Sequence, residues 1–171
     1  MNNIPSVNLN DFTSGDPVRK QKFVDEIGKA YEEIGFVALK GHFLDDALVD
    51  KLYSEVKKFF ALPLETKQKY EIEGIGGQRG YISFGKESAK GKKEGDLKEF
   101  WHFGQYVENN PKLEAEYPKN VEVEELPEFN KVGKETYRML EKTAKYVLRA
   151  LALHLGLEET YFDNYIHNGN S

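Results

Sequence analysis

The sequence has no cysteine among its 171 residues. That absence excludes disulfides, thiolate metal ligands and a cysteine nucleophile. It has no apolar run approaching the ~18 residues that span a bilayer, so no membrane partner is expected. The opening Met1-Asn2-Asn3-Ile4-Pro5 lacks the basic start and apolar stretch of a secretory signal, and a cytoplasmic location is the expectation. Positive charge is not in excess: 24 Lys+Arg face 29 Asp+Glu, a net charge of −5. A nucleic-acid partner asks for a basic face to neutralise phosphates, and none is expected here.

Catalytic signatures are missing too. No Gly-x-Ser-x-Gly elbow occurs, so the strand-turn-helix serine nucleophile has no place to sit. The four histidines are His42, His102, His154 and His167, and none begins a His-x-Asp or His-x-Glu pair. A non-haem iron centre of the two-His-one-carboxylate type needs such ligands to converge. Glu99 and His102 would share a face only on a helix, whereas the surrounding aromatics favour a strand, which separates them. His154 reads as a helix-terminal histidine partnering carbonyls. The residues alone give no catalytic group and no metal ligand set.

What is present is a globular pattern. Hydrophobic residues make up 39%, including 11 Phe, 10 Tyr and 1 Trp, too many for a disordered chain. The length predicts one domain, residues 1–171. Ser6 to Leu9 alternates and reads as a short strand. Asp16-Pro17 reads as N-cap and first helical residue of a helix over 17–34, with Phe23, Ile27, Ala30 and Ile34 at helical spacing. Phe36 to Leu39 reads as a buried strand. Leu48, Leu52, Val56, Phe59 and Phe60 form the stripe of a second helix that Pro63 stops. A short helix over 64–70 follows.

Residues 72–98 read as a mobile Gly- and Lys-rich loop around a short strand at 81–84; a loop of this length is usually functional or disordered. Its Gly74-Ile75-Gly76-Gly77-Gln78-Arg79-Gly80 run lacks the contexts of a phosphate loop or dinucleotide turn. Its lysines at 86, 90, 92, 93 and 98 alternate with Glu87, Glu94, Asp96 and Glu99, a solvated pattern. Phe100 to Phe103 reads as a strand with Phe100, His102 and Gly104 on one face and Glu99, Trp101 and Phe103 on the other. Residues 109–126 form an acidic connector. A long helix opens at Pro127 and closes at Gly156, and a last short one covers 158–165.

Six segments in order resemble the N-terminal region of the 2-oxoglutarate- and Fe(II)-dependent dioxygenases of the isopenicillin N synthase type. They are Ile4-Pro5-Ser6-Val7-Asn8-Leu9, Gly35-Phe36-Val37-Ala38-Leu39-Lys40-Gly41-His42, Phe59-Phe60-Ala61-Leu62-Pro63-Leu64-Glu65-Thr66-Lys67, Arg79-Gly80-Tyr81, Lys98-Glu99-Phe100 and Leu151-Ala152-Leu153-His154-Leu155-Gly156-Leu157. Asn8, Gly41 and Phe43 depart from the family pattern. The resemblance implies an α+β fold, with helices packed on a few short strands, as the N-terminal part of a double-stranded β-helix (jelly-roll) oxygenase. The catalytic barrel, with the iron and 2-oxoglutarate ligands, is expected to lie beyond Asn168-Gly169-Asn170-Ser171, so the chain reads as a truncation, a proteolytic product or a split gene. By itself it is expected to be inactive and to bind neither Fe(II) nor 2-oxoglutarate. Its implied partners are a small-molecule substrate and a C-terminal β-helix domain in cis or in trans. Phe100 and His102 are expected to line the substrate cavity, with Arg79, Tyr81 and Ile82 as its lid. The competing reading is a non-catalytic protein-interaction module that retains the scaffold.

Overall fold

Local capping signals set several element boundaries. In the computed structural model, residues 3–86, 95–108 and 110–166 are described. Along them run β1 (Ser6–Asn8), α1 (Leu9–Thr13), α2 (Pro17–Glu33), β2 (Ala38–Lys40), α3 (Asp46–Phe60), α4 (Leu64–Gln68), β3 (Gly80–Ile82), β4 (Phe100–His102), α5 (Pro111–Glu116), α6 (Pro127–His154) and α7 (Asp163–Ile166). The Asp16 carboxylate accepts from the backbone N–H of Val18 at 2.8 Å and of Arg19 at 3.3 Å. It thereby satisfies donors that the first turn of α2 leaves open. No described helix is long and apolar enough to cross a membrane. Lys90, Lys92, Lys93, Glu87, Glu94, His167 and the turn Asn168-Gly169-Asn170-Ser171 lie outside the described residues.

The contacts divide into two compact units. The first takes the described residues up to Asp45 together with those from Arg138 onward. In it β1 pairs with β2 in parallel, Ser6 opposite Ala38 and Asn8 opposite Lys40. Its core is Val7, Leu9, Phe12, Phe23, Val24, Ile27 and Ala150, with Tyr146, Val147 and Leu153 packed against it. Phe23 and Ile27 lie on the face that the helical periodicity marked, and Val24 joins them. The strand expected at Phe36 to Leu39 lies later, at Ala38–Lys40, and is not buried: Phe36 is 68% exposed. The strand β2 pairs on one side only, and of this segment Val37 and Leu39 pack against the core. Leu9, expected to end the first strand, instead opens α1, whose N-cap Asn8 accepts from the Asn10 N–H at 3.0 Å.

The second unit runs from Asp46 to Tyr137. Here β3 and β4 form an antiparallel pair, Gly80 opposite His102, Tyr81 opposite Trp101 and Ile82 opposite Phe100. Phe59, Tyr70, Tyr81, Val123 and Phe129 are the core, with Trp101 and Phe103 against it. Phe59 stacks on Phe129 at 5.0 Å and meets Trp101 edge-on at 4.7 Å, arrangements that the ring quadrupole favours. The connector expected over 109–126 contains α5, which Asn110 caps by accepting from the Leu113 N–H at 3.3 Å. The helix expected at 158–165 is confined to α7. The long helix α6 is shared, with residues 127–137 belonging to the second unit and the rest to the first.

Candidate functional site

The candidate site lies in the second unit, on the β3–β4 pair and the glycine-rich segment before it. Directly opposite residues of an antiparallel pair share a face. Tyr81 and Trp101 therefore turn together into the aromatic core, while Gly80, Ile82, Phe100 and His102 share the other face. That is the division that strand alternation from Phe100 implied. Gly80 has φ of +78°, and a Cβ there would overlap the Tyr70 carbonyl. Only glycine fits both the left-handed backbone and the close approach of Glu71, which bridges to Gly80.

On the core side, Glu99 is the centre of a partly buried network. It accepts from Lys67 Nζ at 2.8 Å and from the Tyr81 hydroxyl. Lys67 also reaches the Phe60 carbonyl at 3.3 Å. Burial raises the Glu99 carboxyl, but the hydrogen bonds from Lys67 and Tyr81 and the Lys67 charge outweigh it and hold it below the usual range. The Tyr81 phenol is pushed well above its ordinary value by burial first and by Glu99 second. A second phenol repeats the motif. Tyr70 donates to Glu125 and accepts the Glu124 N–H at 3.0 Å, and burial followed by Glu125 raises it.

On the opposite face, the His102 imidazole lies 2.6 Å from the Gly77 carbonyl through Nδ1. A carbonyl only accepts, so Nδ1 carries the proton and pins the glycine-rich segment to β4. Beside it is a cavity of about 540 Å³ lined by Gln68, Glu71, Ile72, Gly77, Ile82 and Lys86. Glu71 is held there by the Ser83 hydroxyl at 3.0 Å and by Lys86 at 3.5 Å.

Of the five residues singled out from sequence, Tyr81, Ile82, Phe100 and His102 lie on the strand pair and Arg79 immediately precedes it. Arg79, Tyr81 and Ile82 are buried, at 4%, 1% and 4% exposure. Phe100 is half-buried and His102 exposed.

Residues that sequence reasoning missed include Lys67, Gly104 and Asn120. Asn120 accepts from the Gly104 N–H at 2.8 Å and donates to the Gly104 carbonyl at 2.9 Å, acting as a strand neighbour for the chain leaving β4. A charged Lys67 close to an apolar Phe-Phe-Ala-Leu-Pro segment was the available signal for the first. The other two carried none.

No group of three or more His, Asp or Glu side chains that could hold a metal stands together among the described residues. His154, expected to partner helix-end carbonyls, instead lies 3.1 Å from a Glu32 carboxylate oxygen. The donor set described here therefore does not fit a two-His-one-carboxylate iron.

Comparison with known proteins completes the picture. A family model described as "non-haem dioxygenase in morphine synthesis N-terminal" matches residues 4–125. The 2-oxoglutarate-dependent dioxygenase frbA of Dothideomycetidae sp. is 35% identical over 113 residues, covering 59% of this chain and 34% of its own length. A crystallised 2OG-Fe(II) oxygenase family protein from Caulobacter crescentus is 36% identical with a TM-score of 0.85, over 99% of this chain and 54% of that one. A Neurospora crassa protein, crystallised in complex with alpha-KG and 5-formyluracil, is 25% identical with a TM-score of 0.70, over 94% of this chain and 47% of that one. The chain accordingly spans between about a third and about half of the relatives it matches. Because the family match takes in most of the chain and both strands of the candidate site, the protein belongs to the non-haem, 2-oxoglutarate- and iron-dependent dioxygenases, in the N-terminal region of that family.

Proposed function

We propose that this chain is the N-terminal portion of a 2-oxoglutarate- and Fe(II)-dependent oxygenase that oxidises a small molecule. In this reading its second unit buttresses a catalytic β-helix and shapes the mouth through which substrate enters. The observation that carries the reading is the family match over residues 4–125. It is supported by the length relation to the frbA and Caulobacter proteins, of which the chain covers 34% and 54%. In this reading the iron and 2-oxoglutarate ligands lie on polypeptide outside the described residues, in cis or in trans.

What these side chains do is bind, orient and exclude water. Phe100 presents an apolar ring and His102 an imidazole whose Nδ1 is already engaged by Gly77, leaving Nε2 as its one free polar atom toward substrate. Ile82 and Phe100, opposite each other in the strand pair, form the apolar wall. Arg79 and Tyr81 act from beneath: Tyr81 with Glu99 and Lys67 fixes the strand pair, and Arg79 seats the chain leaving it. The test is anaerobic titration of the full-length protein with Fe(II) and 2-oxoglutarate, beside residues 1–171 alone. One equivalent of each bound by the full-length protein and none by the fragment is the expected result. Binding of both by the fragment would overturn the assignment.

A further inference from the structure

Arg79 is a charged side chain at 4% exposure, and only part of it is satisfied. Its Nη1 donates to the Gln78 carbonyl at 2.7 Å. Its Nε and Nη2 have no hydrogen-bond partner, and no salt bridge to Arg79 is found among the described residues. These two nitrogens form the parallel N–H fork of the guanidinium, the edge that matches the two oxygens of a carboxylate. Burying a permanent cation without a counter-ion is costly, and removing one partner of a buried pair is among the most destabilising changes known in proteins. The orphaned fork is the mark of a partner of opposite charge.

The fork is also held in place. The guanidinium lies over Gly104, where a Cβ would overlap its Cζ, Nε and Nη2. The Gly104 backbone is tied on both sides by Asn120. A flat cation laid on fixed backbone loses little freedom on accepting a ligand. One positive charge with two parallel donors suits a planar monoanion; a dianionic phosphate would keep one charge uncompensated.

We propose that the Nε/Nη2 edge of Arg79 is a carboxylate-binding site seated by Gly104 and Asn120. The carboxylate comes from one of two sources, a carboxylate-bearing small-molecule substrate or an Asp or Glu side chain of the longer polypeptide. Both nitrogens are closed to solvent here, so filling the site requires the surrounding atoms to move. The small-molecule source rests on the oxygenase activity proposed in the preceding subsection, and the side-chain source on the longer polypeptide proposed there.

The experiment is a crystal structure of the full-length protein, combined with calorimetric titration of the same protein with propionate and, as a neutral control, propionamide. A side-chain carboxylate hydrogen-bonded to both nitrogens supports the second source, and propionate then does not bind. An open fork that takes propionate but not propionamide supports the first, and Arg79→Lys, which keeps the charge but loses the fork, then weakens propionate by about tenfold or more. Arg79→Gln abolishes it; should that variant not fold, the wild-type structure and Arg79→Lys decide. A fork met only by backbone carbonyls or water, with no propionate binding, overturns the proposal. Iron and 2-oxoglutarate binding is measured separately, so the oxygenase reading can fail while the carboxylate site stands, and the reverse.

Discussion

Glu99 takes hydrogen bonds from Lys67 and Tyr81 where little water reaches: the Lys67 and Glu99 side chains are 9% and 17% exposed. Its carboxyl is held below the unfolded value, so the folded state gains stability from it above the ordinary carboxylate range and loses it as pH falls through the lowered folded value. Glu99→Gln is expected to cost about 3 kcal/mol at neutral pH, since Lys67 is left buried without its counter-charge. The deficit should shrink as the solution is acidified, because the wild-type carboxyl then loses its charge as well. Denaturant unfolding at several pH values measures both, and a pH-independent difference would contradict the network. Gly104→Ala is expected to destabilise by about 1–3 kcal/mol through overlap with Arg79. Arg79→Ala should relieve that overlap, so a double-mutant cycle shows coupling; additive effects would show that the two residues do not touch. At this scale strand alternation was enough to place Trp101 and Phe103 apart from Phe100 and His102. It could not pair Lys67 with Glu99, which lie 32 residues apart, because sequence spacing is silent on contacts made only by the fold.

Short elements depend on side chains that imitate backbone. Asn120 bonds Gly104 in both directions, and Asn130 does the same for Val123, accepting from its N–H at 2.8 Å and donating to its carbonyl at 2.9 Å. Asn130→Ala leaves the N–H of the fully buried Val123 unmet, while its carbonyl keeps the Leu126 N–H at 3.3 Å, a loss of about 1–3 kcal/mol. Hydrogen exchange at the Val123 amide should accelerate in the variant, and unchanged exchange would argue against the clamp. The helices α2, α3 and α6 were legible because each holds an apolar stripe over several turns and a recognisable start or stop. Five-residue α1 and six-residue α5 were not, since neither is long enough to show a period. Asn110-Pro111 did carry a readable N-cap signal, which the acidic composition around it obscured.

Across the whole molecule, the motifs shared with the dioxygenase family were more informative than composition. Charge, length and histidine spacing described an ordinary acidic domain, whereas ordered segments from Ile4 to Leu157 carried the family. The contacts divide the chain into two units, each with its own apolar cluster. Large apolar side chains remain exposed, among them Phe36 at 68%, Leu155 at 62% and Leu140 at 51%. If such surface is covered in the longer protein proposed above, residues 1–171 should bind a hydrophobic dye more strongly per mole than that full-length protein. Equal fluorescence would mean that these side chains are exposed in both.

The most direct measurement is oxygen-dependent conversion of 2-oxoglutarate to succinate with added Fe(II). The full-length protein is expected to form succinate and residues 1–171 alone to form none. Turnover by the 171-residue chain alone, or its absence from the iron-loaded full-length protein, would contradict the account.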